Sequence, residues 1–151
     1  MLRSAAALAL ALAAAACSRP PADPVAAVLA SLKQAAESRD AEGLGRQLSP
    51  DFTGAQGRSR GDTLAEAKRY LAAYESVRIE IADLEATRSA DSAHLRCLVG
   101  FSGRPRRMLG LDTLLPPQAA YRFDLDLVRG GEGWLVRHAT WEPASASPAS
   151  Q

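Results

Sequence analysis

The sequence predicts an α+β domain in which a curved antiparallel sheet, made of four long strands and one short edge strand, wraps around three N-terminal helices. Two observations lead to this prediction. Apolar residues recur with the 3.6-residue period of helices in the first half of the chain, and they change to the two-residue period of strands after Ser76. Turn residues separate the alternating segments, which is typical of an antiparallel meander.

The first two helices carry recognisable start and stop signals. Asp23-Pro24 predicts the start of the first helix, because Asp is a favoured N-cap and Pro fits the first helical position. We expect this helix to end near Ser38–Arg39. Asp40 can then cap a second, shorter helix, which Ser49-Pro50 ends. Helical spacing gives the first helix one apolar face, made of Val25, Val28, Leu29, Leu32 and Ala36.

The third helix follows a segment with little pattern. Asp51–Ser59 predicts either a short edge strand or an extended loop. Thr63-Leu64-Ala65-Glu66 then matches a capping box and predicts the start of the helix. Its spacing indicates a buried stripe with Tyr70 beside it; the stripe consists of Leu64, Ala67, Leu71 and Tyr74.

Alternation of side chains predicts which residues of the four long strands face the helices. The inward set is almost entirely apolar: Val77, Ile79, Ile81, Leu95, Cys97, Val99, Phe101, Tyr121, Phe123, Leu125, Leu127, Trp134, Val136 and His138. The outward set carries both charges: Arg78, Glu80, His94, Arg96, Arg122, Asp124, Asp126 and Arg137. It predicts either a solvated face with cross-strand ion pairs or a polar dimer face.

The connections between the long strands differ in character. Thr87–Ser92 and Arg129–Gly133 predict turns, the latter because it contains three glycines. Ser102–Ala119 is predicted to be irregular and combines the basic residues Arg104-Pro105-Arg106-Arg107 with several apolar ones. Such a segment is either a flap, a contact for a partner or simply solvated charge.

In its order of elements the chain resembles the nuclear transport factor 2-like superfamily, whose domains are also called SnoaL-like or cystatin-like. The resemblance covers roughly residues 24–142. It rests on Val25–Leu32, Arg39-Asp40-Ala41-Glu42-Gly43-Leu44, Leu48-Ser49-Pro50-Asp51-Phe52, Leu64–Tyr74 and Gly133-Trp134-Leu135-Val136. It implies a cone-shaped sheet with a pocket, and often dimerisation through the sheet. The superfamily includes isomerases, dehydratases and many non-catalytic binding modules.

The N-terminal segment predicts export. Met1–Ala16 combines one positive charge at Arg3 with an Ala and Leu run, as in a cleavable signal peptide. Ala14-Ala15-Ala16-Cys17 resembles the lipobox of bacterial lipoproteins, although Ala14 stands where Leu is usual. We therefore expect lipid on Cys17; the alternative is ordinary cleavage nearby and a free thiol. Residues 17–22 would form a Pro-rich tether.

The expected location of the protein follows from this signal peptide and lipidation site. Ser18 resembles the residue that sends lipoproteins of Gram-negative bacteria to the outer membrane, with the domain facing the periplasm. The folded domain is expected to span residues 23–142, and residues 143–151 are expected to form a disordered tail. Cys97 would then be a lone thiol inside a strand, and we expect it to be a small buried core residue.

Composition excludes several function classes. The 151 residues contain 18 Lys and Arg against 17 Asp and Glu, and removal of the signal peptide takes away only Arg3. The mature chain is thus formally neutral, which argues against nucleic acid as a partner. Motifs for metal ligation, nucleotide binding and serine hydrolysis are missing from the sequence, so neither a metal nor a cofactor is expected.

One residue of the predicted inward set is a candidate catalytic residue. His138 shares its predicted face with Trp134 and Val136, and enzymes of the resembled superfamily use an Asp or His in the cone as a general base. Its candidate companions are Tyr70, Tyr74, Tyr121 and Asp51. The alternative is a structural histidine near the strand end. No second inward carboxylate is evident, so the paired acids of the isomerases are not matched.

Three hypotheses of function follow. The first is a membrane-anchored periplasmic lipoprotein whose non-catalytic domain binds a small hydrophobic ligand or a protein. The second is a small isomerase or dehydratase that uses His138 as its base. The third is a structural subunit of an envelope protein complex. We favour the first hypothesis, because the sequence contains a predicted lipidation site and no clear set of catalytic residues.

Overall fold

The computed structural model describes residues 23–106 and 117–144 of the chain. The predicted signal peptide, Cys17 and its tether lie outside this part, as do the apolar half of the predicted flap and most of the predicted tail. The described helices are α1 (Pro24–Glu37), α2 (Ala41–Arg46) and α3 (Arg60–Ala72). The strands are β1 (Leu48–Thr53), β2 (Tyr74–Arg88), β3 (Ser92–Pro105), β4 (Gln118–Gly130) and β5 (Gly133–Pro143).

The five strands form one sheet in the order β1-β5-β4-β3-β2. β2 to β5 are antiparallel neighbours, and β1 pairs in parallel with β5. The sheet is curved and unclosed, and the helices cover its concave side. The predicted α+β architecture, with four long strands and a short edge strand, is therefore confirmed.

The N-caps of the first two helices are as predicted. Asp23 accepts a hydrogen bond from the backbone N–H of Val25, and Asp40 accepts one from Gly43. The end of α2 was predicted wrongly, because Leu48–Thr53 leaves the helix to pair with β5. The edge strand accordingly begins before the Asp51–Ser59 segment, which supplies only its second half.

The start of α3 was also predicted wrongly. Ser59, and not Thr63, is the N-cap, and its hydroxyl accepts a hydrogen bond of 3.1 Å from the backbone N–H of Asp62. At the other end, α3 stops at Ala72. Tyr74 therefore belongs to β2 and not to the helix stripe.

Both flanks of the predicted irregular segment are strand. β3 continues to Pro105 because it stays paired with β2 as far as Tyr74, and β4 begins at Gln118, which pairs with Ser102 of β3. The remainder, residues 107–116, lies outside the described part. Likewise β5 includes Pro143, the first residue of the predicted tail, and the N–H of Ala144 donates to Ala120 O at 2.9 Å.

The core has two parts on the concave side of the sheet. The first lies where α1 crosses β3, β4 and β5, and its members are Val25, Val28, Leu29, Phe52, Ala93, Leu95, Leu125, Leu127, Val136 and Ala139. The second lies where α3 runs into β2, and its members are Leu71, Tyr74, Val77, Ile79 and Phe101. Ile81 packs against both parts, and members of both parts line a cavity between the helices and the sheet.

None of the helices in residues 23–106 and 117–144 is both long enough and apolar enough to cross a bilayer.

Candidate functional site

The cavity has a volume of about 400 Å³, is partly open to solvent, and lies between the helices, β1 and the concave face of the sheet. Its wall is predominantly apolar. α1 and α2 contribute Leu29, Leu32, Ala36 and Leu44; α3 contributes Leu64, Ala67 and Leu71; the sheet contributes Ile79, Ile81, Cys97, Val99, Phe101, Phe123, Leu125, Val136, Ala139 and Trp141. Pockets for small molecules in proteins range from about 300 to about 1,000 Å³ and are mostly apolar, so the size and lining fit a small ligand.

The strands reach this wall through the alternation predicted from the sequence. In β2, β3 and β4 every predicted inward residue lies on the concave side, for example Ile79, Val99 and Phe123. Cys97 is also among them and is only 4% exposed, which confirms that it is a buried core residue. Burial raises the pKa of its thiol.

β5 breaks the predicted alternation, and this changes the site. Asp126 of β4 lies opposite His138, but the next residue, Leu127, lies opposite Val136, so Arg137 is an extra residue in β5. Such a β-bulge reverses the facing of all later side chains. Ala139 and Trp141 consequently line the cavity in place of His138.

The prediction that His138 faces the cavity is therefore wrong. His138 lies on the outer face of the sheet, which is the face opposite the helices. Its Nδ1 is 2.9 Å from the hydroxyl of Thr53 on β1. This pair is exposed, and neither residue lines the cavity.

Asp51, a candidate companion of His138, also lies away from the cavity. Its carboxylate accepts a hydrogen bond of 2.7 Å from the Ser49 hydroxyl and lies 3.4 Å from Arg137 Nε. The Ser49 hydroxyl is the main reason that the pKa of Asp51 lies below its usual value. The side chain is 66% exposed. The structure thus provides no support for a base formed by Asp51 inside the cone.

The structure places the three candidate tyrosines, Tyr70, Tyr74 and Tyr121, close to one another. Tyr70 of α3 and Tyr121 of β4 both line the cavity. Tyr74 is fully buried behind Tyr70, with ring centroids 5.4 Å apart, and Phe101 completes the aromatic group at 5.3 Å from Tyr70. Burial raises the pKa of the Tyr70 phenol above its ordinary value, and the nearby phenols of Tyr74 and Tyr121 raise it further.

Sequence reasoning missed three polar residues of the wall, which are Lys33, Thr63 and Glu66. Thr63 precedes Ala67 by four residues and Tyr70 by seven, so helical spacing was a usable signal for one common face. Lys33 donates to Ile79 O at 2.8 Å and lies 3.5 Å from Glu37. Glu66 forms an ion pair with Arg58.

The outer face carries the cross-strand ion pairs that the sequence predicts. The two ring nitrogens of His94 lie 2.7 Å from Asp126 and 2.9 Å from Asp124. Arg96 Nε lies 3.3 Å from the same Asp124 carboxylate. Within the part of the chain that the structure describes, no group of His, Cys, Asp and Glu has the arrangement of a metal site.

Comparison by sequence finds no matching protein-family model and no similar curated protein. Comparison of structures finds many similar folds. A putative scytalone dehydratase from Novosphingobium aromaticivorans aligns with a TM-score of 0.70 at 10% identity, over 81% of this chain and 83% of that one. A nuclear transport factor 2-like superfamily protein from Salmonella enterica serovar Typhimurium aligns with a TM-score of 0.65 at 14% identity, over 84% and 93%.

A third similar structure is Bd1075 from Bdellovibrio bacteriovorus, with a TM-score of 0.65 at 13% identity. The match covers 80% of this chain but 40% of Bd1075, so this chain corresponds to less than half of that protein. Identities this low carry information about architecture alone. The element order, the curved sheet and these alignments agree, and the chain has the nuclear transport factor 2-like fold.

Proposed function

We propose that this protein is an exported, lipid-anchored binding protein that holds a small apolar molecule in its cone without transforming it. The observation that carries the proposal is the cavity of about 400 Å³ between the helices and the sheet. Burial of apolar ligand surface against such a wall contributes roughly 25 cal/mol per Å². This term favours an apolar ligand over a polar one.

The polar groups of the wall favour binding over catalysis. General acid–base catalysis needs a group that can exchange a proton within hydrogen-bond reach of the substrate. The described lining includes neither His nor Asp, and its carboxylate, Glu66, is ion-paired with Arg58. Burial raises the pKa of the Tyr70 phenol, which makes this group a poor base.

The catalytic alternative uses His138 as its base. Two structural neighbours are described as putative dehydratases, but their identities of 10% and 16% relate the folds and not the sites. His138 lies on the outer face, away from the cavity. His138→Ala should therefore leave ligand binding unchanged, and a loss of binding or of any turnover in this variant would favour the alternative.

The anchoring part of the proposal rests on the sequence before the domain. Cys17 follows three alanines and a signal-like apolar run, and Asp23 caps the first helix only six residues later. The intervening Pro-rich segment would keep the domain close to the membrane surface. Attached acyl chains bind bilayers with about 0.8 kcal/mol per buried methylene, which is enough to anchor a domain that has no membrane-binding surface of its own.

The ligand is best identified by extraction. The protein is purified from its own cells, and bound small molecules are released with organic solvent and analysed by mass spectrometry. Ala67 lines the cavity, whereas Ala65, two residues away on the same helix, is exposed. We expect Ala67→Phe to lose the bound molecule and Ala65→Phe to keep it. Equal recovery from both variants would contradict binding in the cavity.

The anchor is tested by labelling cells with radioactive palmitate. The wild-type protein should incorporate label and Cys17→Ala should not. Cys97→Ala is the matched control, because it removes the other cysteine and should leave the label unchanged. Equal labelling of Cys17→Ala and wild type would refute lipidation. Fractionation of the labelled cells then tests the outer-membrane location, and crosslinking tests for a partner in an envelope complex.

A further inference from the structure

The two ends of α1 lie at opposite ends of β2. Asp23, the N-cap of α1, forms a bidentate ion pair with Arg88 at the end of β2, in which Nη1 and Nη2 each donate to one carboxylate oxygen. At its other end, Arg39 follows α1 and donates to the carbonyl of Tyr74 at the start of β2, at 2.9 Å. α1 therefore runs antiparallel to β2, and the chain enters the domain beside Arg88.

This point of entry lies at the end of the sheet where two hairpins turn. The β2–β3 turn and the β4–β5 turn are joined there by a hydrogen bond of 2.9 Å from the N–H of Arg129 to the carbonyl of Asp91. Residues 88–92 and 129–133 are all exposed. We call the surface formed by Asp23 and these two segments the turn end of the domain.

The cavity is open at a distance from the turn end. Its lining residues on β4 become more exposed away from the β4–β5 turn, since Leu125 is buried whereas Phe123 and Tyr121 are partly exposed. On β5, Ala139 is buried and Trp141, which is farther from the turn, is partly exposed. The solvent-accessible part of the cavity wall in these two strands therefore lies away from the turn end.

The length of chain between the proposed lipid anchor and the domain limits how the domain can stand on a bilayer. Asp23 follows Cys17 by six residues, and a chain of that length spans at most about 22 Å. β2 has 15 residues and extends for about 45 Å, roughly twice the reach of this tether. An orientation with the far end of the sheet on the bilayer would place Asp23 beyond that reach.

The residues of the turn end are not of the kinds that bind bilayers by themselves. Residues 88–92 and 129–133 are Arg-Ser-Ala-Asp-Ser and Arg-Gly-Gly-Glu-Gly, with two basic residues, two acidic residues and no large apolar one. Arg88 is moreover paired with Asp23. Bilayers attract inserted apolar side chains and clustered positive charge. The tether, and not an affinity of this surface for lipid, would thus hold the turn end near the membrane.

From these observations we propose that the turn end faces the surface of the anchoring bilayer and that the cavity opens away from it. The inference rests on the proposed function, since it assumes lipid on Cys17 and a ligand in the cone. It adds the direction of ligand entry: an apolar molecule enters the cavity from the aqueous side, and not by lateral movement out of the bilayer that anchors the protein.

The test measures how close two positions of the β4–β5 hairpin lie to the bilayer. Gly131→Cys at the turn and Glu142→Cys beside Trp141 each place one thiol at an exposed position, in a lipidated Cys97→Ala chain. A Cβ at Gly131 would meet no atom of the described residues within 4 Å. Each thiol is labelled with a donor fluorophore, and the protein is incorporated into phosphatidylcholine vesicles whose headgroups carry an acceptor.

Energy transfer from position 131 should exceed that from position 142 severalfold. The matched control carries about 20 Gly and Ser residues inserted after Ala22, a flexible length that lets the domain turn over, and its two positions should transfer similarly. Equal transfer from the two positions of the original chain, or greater transfer from position 142, would overturn the orientation. A difference that persists unchanged with the long linker would overturn the role of the tether.

Flotation of the unlabelled wild-type protein with the vesicles separates this inference from the proposed function. If the protein purified from its own cells does not float with them, the proposed lipid anchor fails and the orientation falls with it. If the protein floats and the two positions transfer equally, only the present inference fails.

Discussion

Glu37 on α1 accepts a hydrogen bond of 2.9 Å from the backbone N–H of Ile79 on β2. Lys33, one turn earlier on the helix, donates to the carbonyl of the same Ile79 at 2.8 Å. β2 is an edge strand, and exposed edges are templates for pairing with other chains. The side chains of α1 thus satisfy backbone groups on the free side of β2. Arg39 does the same for the carbonyl of Tyr74, at 2.9 Å.

This contact predicts a dependence of stability on pH. The Ile79 N–H is the main reason that the pKa of Glu37 lies below its usual value, and Lys33 contributes as well. A carboxyl group whose pKa is lowered by folding stabilises the protein above its unfolded pKa of about 4.3, and this contribution disappears as the pH falls through the folded pKa. Glu37→Gln should therefore be less stable than wild type near neutral pH, and the difference should shrink in acid.

The measurement is the free energy of unfolding by urea between about pH 7 and about pH 3, a range that brackets the titration of carboxyl groups. Glu80→Gln serves as the control, because Glu80 is an exposed residue of β2 that directly follows Ile79. The free energy of unfolding of Glu80→Gln should stay close to that of wild type over this whole pH range. A Glu37→Gln difference that does not change with pH would contradict the expected role of the carboxylate.

Gly103 on β3 is expected to tolerate no side chain. A Cβ there would lie 2.7 Å from the Tyr74 ring and 2.8 Å from the carbonyl oxygen of Ser76. Overpacking of this kind usually costs about 1–3 kcal/mol, so Gly103→Ala should lower the free energy of unfolding by that amount. Gly100→Ala on the same strand should not, because its Cβ would meet Glu80 only at 3.7 Å. Equal stability of the two variants would show that Tyr74 can move aside.

Two leucines should differ sharply in their contribution to stability. Leu127 is 1% exposed in the first part of the core, whereas Leu84 is 47% exposed on β2. Truncation of a buried leucine to alanine costs about 2–5 kcal/mol, so Leu127→Ala should be severely destabilised in denaturant titrations. Leu84→Ala should remain within about 0.5 kcal/mol of wild type, as surface substitutions usually do. A small effect at Leu127 would mean that the core collapses around the gap.

The thiol of Cys97 should be inert in the folded protein. It is buried, and burial raises its pKa, so both access and the fraction of reactive thiolate are reduced. A chromogenic disulfide reagent should modify it only as fast as the protein opens, and denaturant should accelerate the reaction. The experiment is performed in Cys17→Ser so that one thiol remains. Rapid modification of the native protein would show that the cavity admits the reagent.

Much of the fold could be predicted from the sequence, because its signals are local. Asp23 and Asp40 are side chains that cap helices by their own chemistry, and the two-residue period of β2, β3 and β4 depends only on the strand backbone. The same kind of local signal predicted the wrong start for α3 at Thr63-Leu64-Ala65-Glu66. Ser59 offers an equally good cap four residues earlier, and α3 begins there.

The candidate site was predicted in part. Tyr70 and Tyr121 lie at the cavity because ordinary helix and strand spacing places them there. His138 was misplaced because a β-bulge depends on pairing between β4 and β5, which no residue of β5 signals by itself. Strand pairing also determines the position of β1, which pairs with β5 some 85 residues later in the chain.

The extra residue at Arg137 shows that the number of residues in a strand can matter more for a binding site than their kinds. With it, an indole meets whatever enters the cone and an imidazole meets solvent. If Arg137 instead paired regularly with Asp126, His138 would lie opposite Leu125, and the two groups would exchange places. Gain or loss of a bulge in the last strand therefore offers lineages of this architecture a short evolutionary route to new interior chemistry.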